Sequence, residues 1–511
     1  MSDWTGGYAT DIGYTFGYYQ ELNPFSITLP FLNSGVICPV VETACELGFG
    51  QGLTTNIHAA ATQTRWYGTD FNPSQTKFAQ ELAEASCSGA KFYDESFAEF
   101  CNRTDLPDFD FICLHGIWSW ISDENRTLIV DFIRRKLKVG GILYMGYNTL
   151  PGWAAFVPMR HLMALHANVM GAKGSGIVNR IDKALEFAER LMATNPAYAR
   201  ANPQVAQRLK NILAQDRQYV AQEYLNGHWH PMHFSTMVDW FKAAKVAFVC
   251  SSNCLSQIDE INLSQEQQTL LNEIPDPVFR ESIRDFLDDR QFRREYWVKG
   301  ARKLSVLEQI EALRDLRVVL VTHRSDVTLK VPTGLGDAQM SAPIYSPILD
   351  FLADNKPRTV GEIERIIKGQ GVTFAQLRQA IMVLTGSGYL GSVQDDKTGR
   401  SAMISAKKLN DCVINRARGS GDINFLASPL TGGGVPVNRF QQLFLLAISQ
   451  GKRLPAEWSQ FVWHILSEQI EDYGKTDTIL ASAQAAQEEL DSLAGTFAEK
   501  QLPVLKALQI I

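Results

Sequence analysis

One short stretch, Cys45-Glu46-Leu47-Gly48-Phe49-Gly50-Gln51-Gly52, holds a carboxylate and three alternate glycines. Apolar residues lead into it from Val40, and Leu53, Ile57, Ala60 and Ala61 follow at helical spacing. The pattern predicts a buried strand, a glycine-rich turn and an amphipathic helix. Such a corner suits a nucleotide, because glycine lets the backbone close on a ligand and the helix start offers free N–H groups. A purely structural turn could use the same glycines. Glu46 separates the ligand classes: its carboxylate repels a pyrophosphate and suits a cationic or hydroxyl-bearing compound. Asp70 ends a second strand over 65–70, 22 positions after Gly48. An adenosine-binding fold places there the acid that takes the ribose hydroxyls.

S-adenosylmethionine meets both conditions, with an amino group, a sulfonium and no phosphate. The elements that must hold it follow in order. Phe71 and Asn72 leave the second strand, with Asn72 as a helix cap and Pro73 at the first helical position. A third strand over 90–94 leads to Ser96 and Phe97, a polar contact and an apolar wall for the adenine. A fourth over 108–114 carries His115-Gly116-Ile117-Trp118-Ser119-Trp120 to the carboxyl edge of the sheet, where open α/β sheets bind ligands. A helix over 123–137 is expected to close at Val139-Gly140-Gly141, before a fifth strand over 142–145 and Tyr147 to Trp153. Upstream, Tyr8, Tyr14, Phe16, Tyr18 and Tyr19 form either a packed cap over the sheet or a lid whose phenols line the reacting centre.

The 511 residues allow about three domains, and 45% hydrophobic with 20% charged residues describe an ordinary globular chain. A net charge of −6 argues against a nucleic-acid partner. No signal peptide is expected from residues 1–7, and no apolar run approaches the ~20 residues of a membrane span, so no membrane insertion is expected. Eight scattered cysteines without a CxxC pair suit the reduced interior of a cytoplasmic protein. His228, His230 and His233 lack an acidic or Cys partner at ligand spacing, so no metal is expected.

The predicted fold is α/β. A Rossmann-like core over 1–154 is followed by a helical insertion over 155–215. Residues 216–303 complete the sheet, with a helix over 234–244 and strands over 246–251 and 294–300. Residues 304–405 suggest a hairpin (317–321 with 327–331) and a winged-helix-like unit. Its would-be recognition helix carries a single cation, Arg378, so a protein-docking role fits better than DNA. A Gly/Ser-rich connection over 419–434 lies within a helical C-terminal domain, 406–511.

These residues resemble bacterial class I methyltransferases that carry a methyltransferase regulatory domain, some of which act on lysines of outer-membrane protein. The matching segments are Tyr14 with Glu21-Leu22-Asn23-Pro24, Glu46 to Gly52, Asp70 to Pro73, Ser96-Phe97, His115 to Trp120 and Tyr147 to Trp153. Glu223-Tyr224-Leu225, His230-Pro231, Phe234 and residues 290–294 match the regulatory segment. Residues 10–300 are covered well and the C-terminal part loosely. The resemblance implies transfer of methyl from S-adenosylmethionine to a protein lysine, and a homodimer through the helical insertion. Alternatives are a small-molecule O- or N-methyltransferase and a non-catalytic sensor of the nucleoside.

On this reading Glu46, Gly48, Phe49, Gly50 and Gly52 hold the methionine part, Asp70, Phe71 and Asn72 the ribose side, and Ser96 and Phe97 the adenine. His115 touches the cofactor and is the candidate base. Tyr14 and Trp118 are assigned to the reacting centre, and Tyr18, Trp120, Tyr147 and Trp153 to the acceptor, π faces favouring a cationic centre. Burial beside a sulfonium lowers a lysine's pKa, so a strong base is not required.

Overall fold

The computed structural model describes residues 13–171, 176–471 and 479–511, without the side chains of 469–471 and 479–484. Tyr8 of the aromatic segment and the signal-peptide region over 1–7 lie outside the described residues. Seven strands make the central sheet: β1 (Thr43–Leu47), β2 (Arg65–Asp70), β3 (Lys91–Asp94), β4 (Phe109–His115), β5 (Leu137–Asn148), β6 (Val246–Ser251) and β7 (Phe292–Lys299). Their order is β3-β2-β1-β4-β5-β7-β6. β1 to β5 run parallel to one another, and β7 is antiparallel to both β5 and β6. All five residues of β1 are buried, as befits a parallel strand covered on both faces. The chain leaves β1 for β2 on one side and returns to β4 on the other. That reversal opens the ligand crevice at the carboxyl ends of β1 and β4.

β5 is longer than expected. The preceding helix stops at Lys136, and the strand begins at Leu137 and runs for 12 residues. Gly140 and Gly141 therefore do not cap a helix. They lie inside the strand, where its register against β4 shifts between Phe109 and Phe111. The added length carries Tyr147 and Asn148 into the sheet.

The insertion is helical as expected: Val157–Val169, Ile177–Ala193, Ala197–Ala201 and Gln204–Leu213. The helical stretch does not end at 215, because Arg217–Tyr224 continues it and packs Val220, Ala221 and Tyr224 against Met159, Ile181, Leu185 and Leu209. The helix Pro277–Leu287 braces β7, with buried Asp285 accepting from Arg293 Nε at 2.8 Å.

Beyond Lys303 the expected hairpin does not form. Its first half is β8 (Arg317–Leu320), the centre of a three-stranded antiparallel sheet between β11 (Arg358–Thr359) and β12 (Leu390–Ser392). Its second half contributes to another pair, β9 (Lys330–Thr333) with β10 (Gly336–Gln339). The helices Ala342–Phe351, Val360–Ile367 and Phe374–Gly386 share one apolar core with β8 and β12. The last of them buries Leu377 and Ala380 to Leu384.

A domain boundary between 405 and 406 does not exist, since the helix Asp396–Arg416 runs through it. Residues 419–434 are no loose connection either. They include β13 (Phe425–Ser428), paired with β14 (Gly433–Pro436). This region packs Ala406, Leu409, Val413 and Leu426 with Leu53, Ile57 and Leu82 in one core, so the C-terminal part sits directly on the helix that follows the glycine turn.

Candidate active site

The glycine turn has the backbone its composition demands. Gly48, Gly50 and Gly52 have φ of +75°, +57° and +66°, a region in which side chains are disfavoured. At Gly48 a Cβ would also fall 2.5 Å from Ile117 Cδ1. The turn is tied to β2: Gly48 N donates to Thr69 O at 2.8 Å and Gly50 N to Asp70 Oδ2 at 2.8 Å. Asn72 N donates to the other Asp70 oxygen at 3.0 Å. Asn72 caps its helix, its Oδ1 accepting from Ser74 N at 3.1 Å.

Glu46, Gly48, Phe49, Gly50, Asp70 and Asn72 border a cavity of about 330 Å³, together with Phe71, Gln75, Glu95, Phe97, His115, Ile117, Trp120, Tyr14 and Tyr19. Glu46 is 2% and Asp70 8% exposed. Burial pushes both carboxyls up to about 7, Glu46 despite the hydroxyl of Thr55 and Asp70 despite the amides of Asn72 and Gly50. Beside that desolvation, the charge of Asp70 raises Glu46 a little further, and that of Asp94 raises Asp70. Two buried carboxylates without a cation in the cavity wall are what a sulfonium nucleoside with an amino group and a ribose diol relieves. Glu95 adds a third acceptor: one oxygen is paired with Arg103 at 2.5 Å and the other is buried without a partner. The residues present therefore fit S-adenosylmethionine.

A strap over 14–23 closes the cavity from above. Gln51 Nε2 donates to Tyr14 O at 3.0 Å, Tyr19 N to Thr54 Oγ1 at 3.1 Å, and Thr54 Oγ1 to Gly17 O at 3.2 Å. The Tyr19 ring stacks on His115, whose Nδ1 meets Tyr144 Oη at 2.8 Å. Burial lowers the His115 imidazole to about 4, so it stands neutral at pH 7. Burial raises the Glu21 carboxyl, but His115 and Arg294 outweigh it and hold Glu21 low. With His115 neutral, Arg294 at 3.2 Å is the charged partner of Glu21, and Tyr144 Oη donates to the same oxygen at 3.3 Å.

A second cavity of about 460 Å³ adjoins the first and shares Tyr14, Tyr19, His115, Trp120 and Gln222 with it. Its wall also includes Trp153, Tyr219, Tyr224, Asn148 and Glu223, and Arg208, which lies over the Trp153 ring. Trp120 Nε1 donates to Glu223 O at 3.4 Å, and Trp153 Nε1 to Gln291 O at 2.9 Å.

Four expected site residues lie elsewhere. Trp118 is fully buried beneath the sheet against Trp240 and Phe241, and its carbonyl accepts from Arg126. Tyr147 points to the same core and donates to Glu295 at 3.2 Å, because alternate residues of a strand face opposite ways. Tyr18 turns away from the cavity, its hydroxyl accepting from Gly434 N at 2.7 Å and meeting His58 at 3.1 Å. Gly52 is the residue that lets the next helix approach: its Cβ would lie 2.6 Å from Ala79 Cβ. Ser96 stays at the rim, but its hydroxyl is used in a capping box with Glu99 at 2.7 Å, and Glu95 beside it has the unpaired oxygen. Glu95, Gln75, Ile117, Gln222 and Glu223 carried no site assignment in the sequence. Only Glu95, next to the adenine pair, had a positional signal. Among the described residues no group of three or more His, Cys, Asp or Glu could hold a metal ion, and no helix is long and apolar enough to cross a membrane.

Residues 44–141 match the family described as a methyltransferase domain, and residues 216–299 the family described as a predicted methyltransferase regulatory domain. The protein sll1526 of Synechocystis sp. is 38% identical over 99% of both chains. RP789 of Rickettsia prowazekii is 27% identical over 53% of this chain and 50% of its own. Among solved structures, PKMT2 from Rickettsia typhi in complex with AdoHcy is 18% identical, covers 98% of each chain and superposes with a TM-score of 0.66, a likeness of fold. The chain belongs to the class I methyltransferases that use S-adenosylmethionine and carry a methyltransferase regulatory domain.

Proposed function

We propose that this enzyme transfers the methyl group of S-adenosylmethionine to the side-chain amine of a lysine in a protein. The observation that carries the reading is the wall of five residues common to the cofactor cavity and the aromatic cavity beside it. A slender alkyl amine suits the second compartment, where the faces of Tyr and Trp attract a cation. The bulk of the chain outside the sheet favours a macromolecular acceptor over a small molecule. The amine lone pair forms the new N–C bond while the C–S bond breaks and its electron pair stays on sulfur. Such chemistry needs alignment and exclusion of water more than covalent help. Tyr14, Tyr19, Trp120 and Trp153 supply the walls, and neutral His115 serves as a wall too, since an imidazole held near 4 is a poor acceptor for an ammonium proton. The homodimer that the resemblance implies finds support in Leu165, Val169, Met170, Val178 and Phe187, exposed on the helical insertion. Light scattering on a sizing column distinguishes one copy from two.

The test of function is incubation with tritiated S-adenosylmethionine and cell extract, followed by separation of protein, small-molecule and nucleic-acid fractions. Label in protein that is recovered as methyl-lysine after hydrolysis is the expected result. Label confined to small molecules ends the reading.

A further inference from the structure

Beyond the aromatic cavity lies a third, of about 650 Å³, which shares Arg208, Asn211 and Gln291 with it. It opens between the insertion helix Gln204–Leu213 and the Pro151–Phe156 turn after β5. The three cavities thus form a series: an outer mouth, an aromatic chamber and the cofactor cavity. The carboxylate among the residues of the middle chamber is Glu223, from the helix Arg217–Tyr224 of the regulatory segment.

We propose that Glu223 is the group that receives the ammonium end of the incoming acceptor and takes up its proton before methyl transfer, an inference that rests on the lysine reading above. Glu223 Oε1 accepts from Asn148 Nδ2 at 3.1 Å. That bond fixes the side chain from the end of β5, the strand whose neighbour β4 delivers His115. The acceptor's ammonium would meet the other oxygen. The N–H bond of the ammonium breaks and an O–H bond forms on Glu223. The freed lone pair then makes the N–C bond as the C–S pair passes to sulfur. The product nitrogen keeps one positive charge, the sulfonium charge is gone, and Glu223 returns its proton to water through the mouth.

The groups facing Glu223 are Arg208 of the helix Gln204–Leu213, Arg160 of the helix Val157–Val169, Tyr219 and Tyr224 of its own helix, and Tyr14 of the strap. Neither arginine is committed to it. Arg208 stacks on Trp153 at 3.6 Å and donates to Gly152 O at 3.4 Å, and Arg160 donates to Asn226 O. Burial raises Glu223 to about 7 against the pull of Asn148 and both arginines, which suits a group that must bind a proton and release it near neutral pH.

The experiment is calorimetry on the full chain saturated with S-adenosylhomocysteine, with n-butylamine and n-butanol as probes. The wild-type protein is expected to bind the amine at least tenfold tighter than the alcohol, with an affinity that rises up to pH 7 and then levels. Glu223→Gln is expected to lose at least tenfold in amine affinity while its S-adenosylhomocysteine affinity stays within twofold. Equal binding of amine and alcohol by the wild type overturns the proposal and needs no variant to fold. Unchanged amine affinity in Glu223→Gln overturns it as well. If the wild type labels protein lysine while either of those results is obtained, Glu223 alone is refuted. If it labels no protein at all, the lysine reading falls first.

Discussion

The ring of Tyr19 lies flat on the imidazole of His115, their centroids 3.6 Å apart and their planes 25° from parallel. One residue belongs to the strap and the other to the tip of β4, so this stack joins the cover of the site to its floor. Both rings border both inner cavities. A ring pair of this kind contributes about 0.5–1.5 kcal/mol beyond its burial. Tyr19→Leu is therefore expected to lower the melting temperature and weaken S-adenosylhomocysteine binding, whereas Tyr19→Phe keeps affinity within twofold. Calorimetry on the two variants checks this, and identical behaviour would mean that the stack does not close the site.

Asp70 does two jobs with one carboxylate. It accepts from Gly50 and Asn72 and keeps lone pairs free toward the cavity. Asp70→Ala is expected to weaken cofactor binding at least tenfold, or ~1.4 kcal/mol, because it would remove the proposed ribose partner and would loosen the glycine turn. Unchanged affinity would remove Asp70 from the site.

Gly48 tests the turn itself. Gly48→Ala forces a Cβ onto Ile117 at a φ of +75°, where the backbone alone costs about 1–2 kcal/mol. The expected outcome is loss of detectable S-adenosylhomocysteine binding together with a lower melting temperature. Retained binding equal to wild type would show that the turn does not touch the ligand.

Protonation separates the empty from the filled site. Glu46 and Asp70 are held at about 7 in the folded chain, above the ordinary value near 4. Raised carboxyls bind protons more tightly folded than unfolded, so their contribution to stability is present below about pH 4 and is lost as pH rises to 7. His58 and His115, lowered to about 3 and 4, act the other way: their contribution is present above about 6.5 and is lost on acidification. A cationic ligand prefers the ionised carboxylates. Affinity for S-adenosylmethionine is therefore expected to rise with pH up to about 7 and level above it, with proton release measurable by calorimetry in two buffers of different ionisation enthalpy. A pH-independent affinity from 5 to 8 would contradict the burial argument.

The near half of the cavity was legible because Glu46, Asp70 and His115 stand at strand ends. β2 and β6 occupy the residues the pattern predicts, 65–70 and 246–251. The acceptor half was not. Trp118 and Trp120 stand two residues apart on one short turn, yet one enters the core under the helix Phe234–Lys242 and the other borders both cavities. Only the packed neighbours decide between them. Tyr147 and Asn148 part in the same way, to Glu295 and to Glu223. Glu223 itself lies 75 positions beyond the residue that orients it, and no local spacing reports such a pair. The misassigned hairpin has a similar cause, since β8 finds its partners at 358–359 and 390–392 rather than in the next turn.

Tyr18 and Asn23, on either side of Tyr19, are held by the backbone of Gly434 and Thr431, 416 and 408 positions further along. A nascent polypeptide leaving the ribosome thus lacks these anchors until the segment around Thr431 and Gly434 has been synthesised. Methylating capacity would then arrive late in translation, and a prematurely stopped product would be left with an ill-fastened cover over its nucleoside.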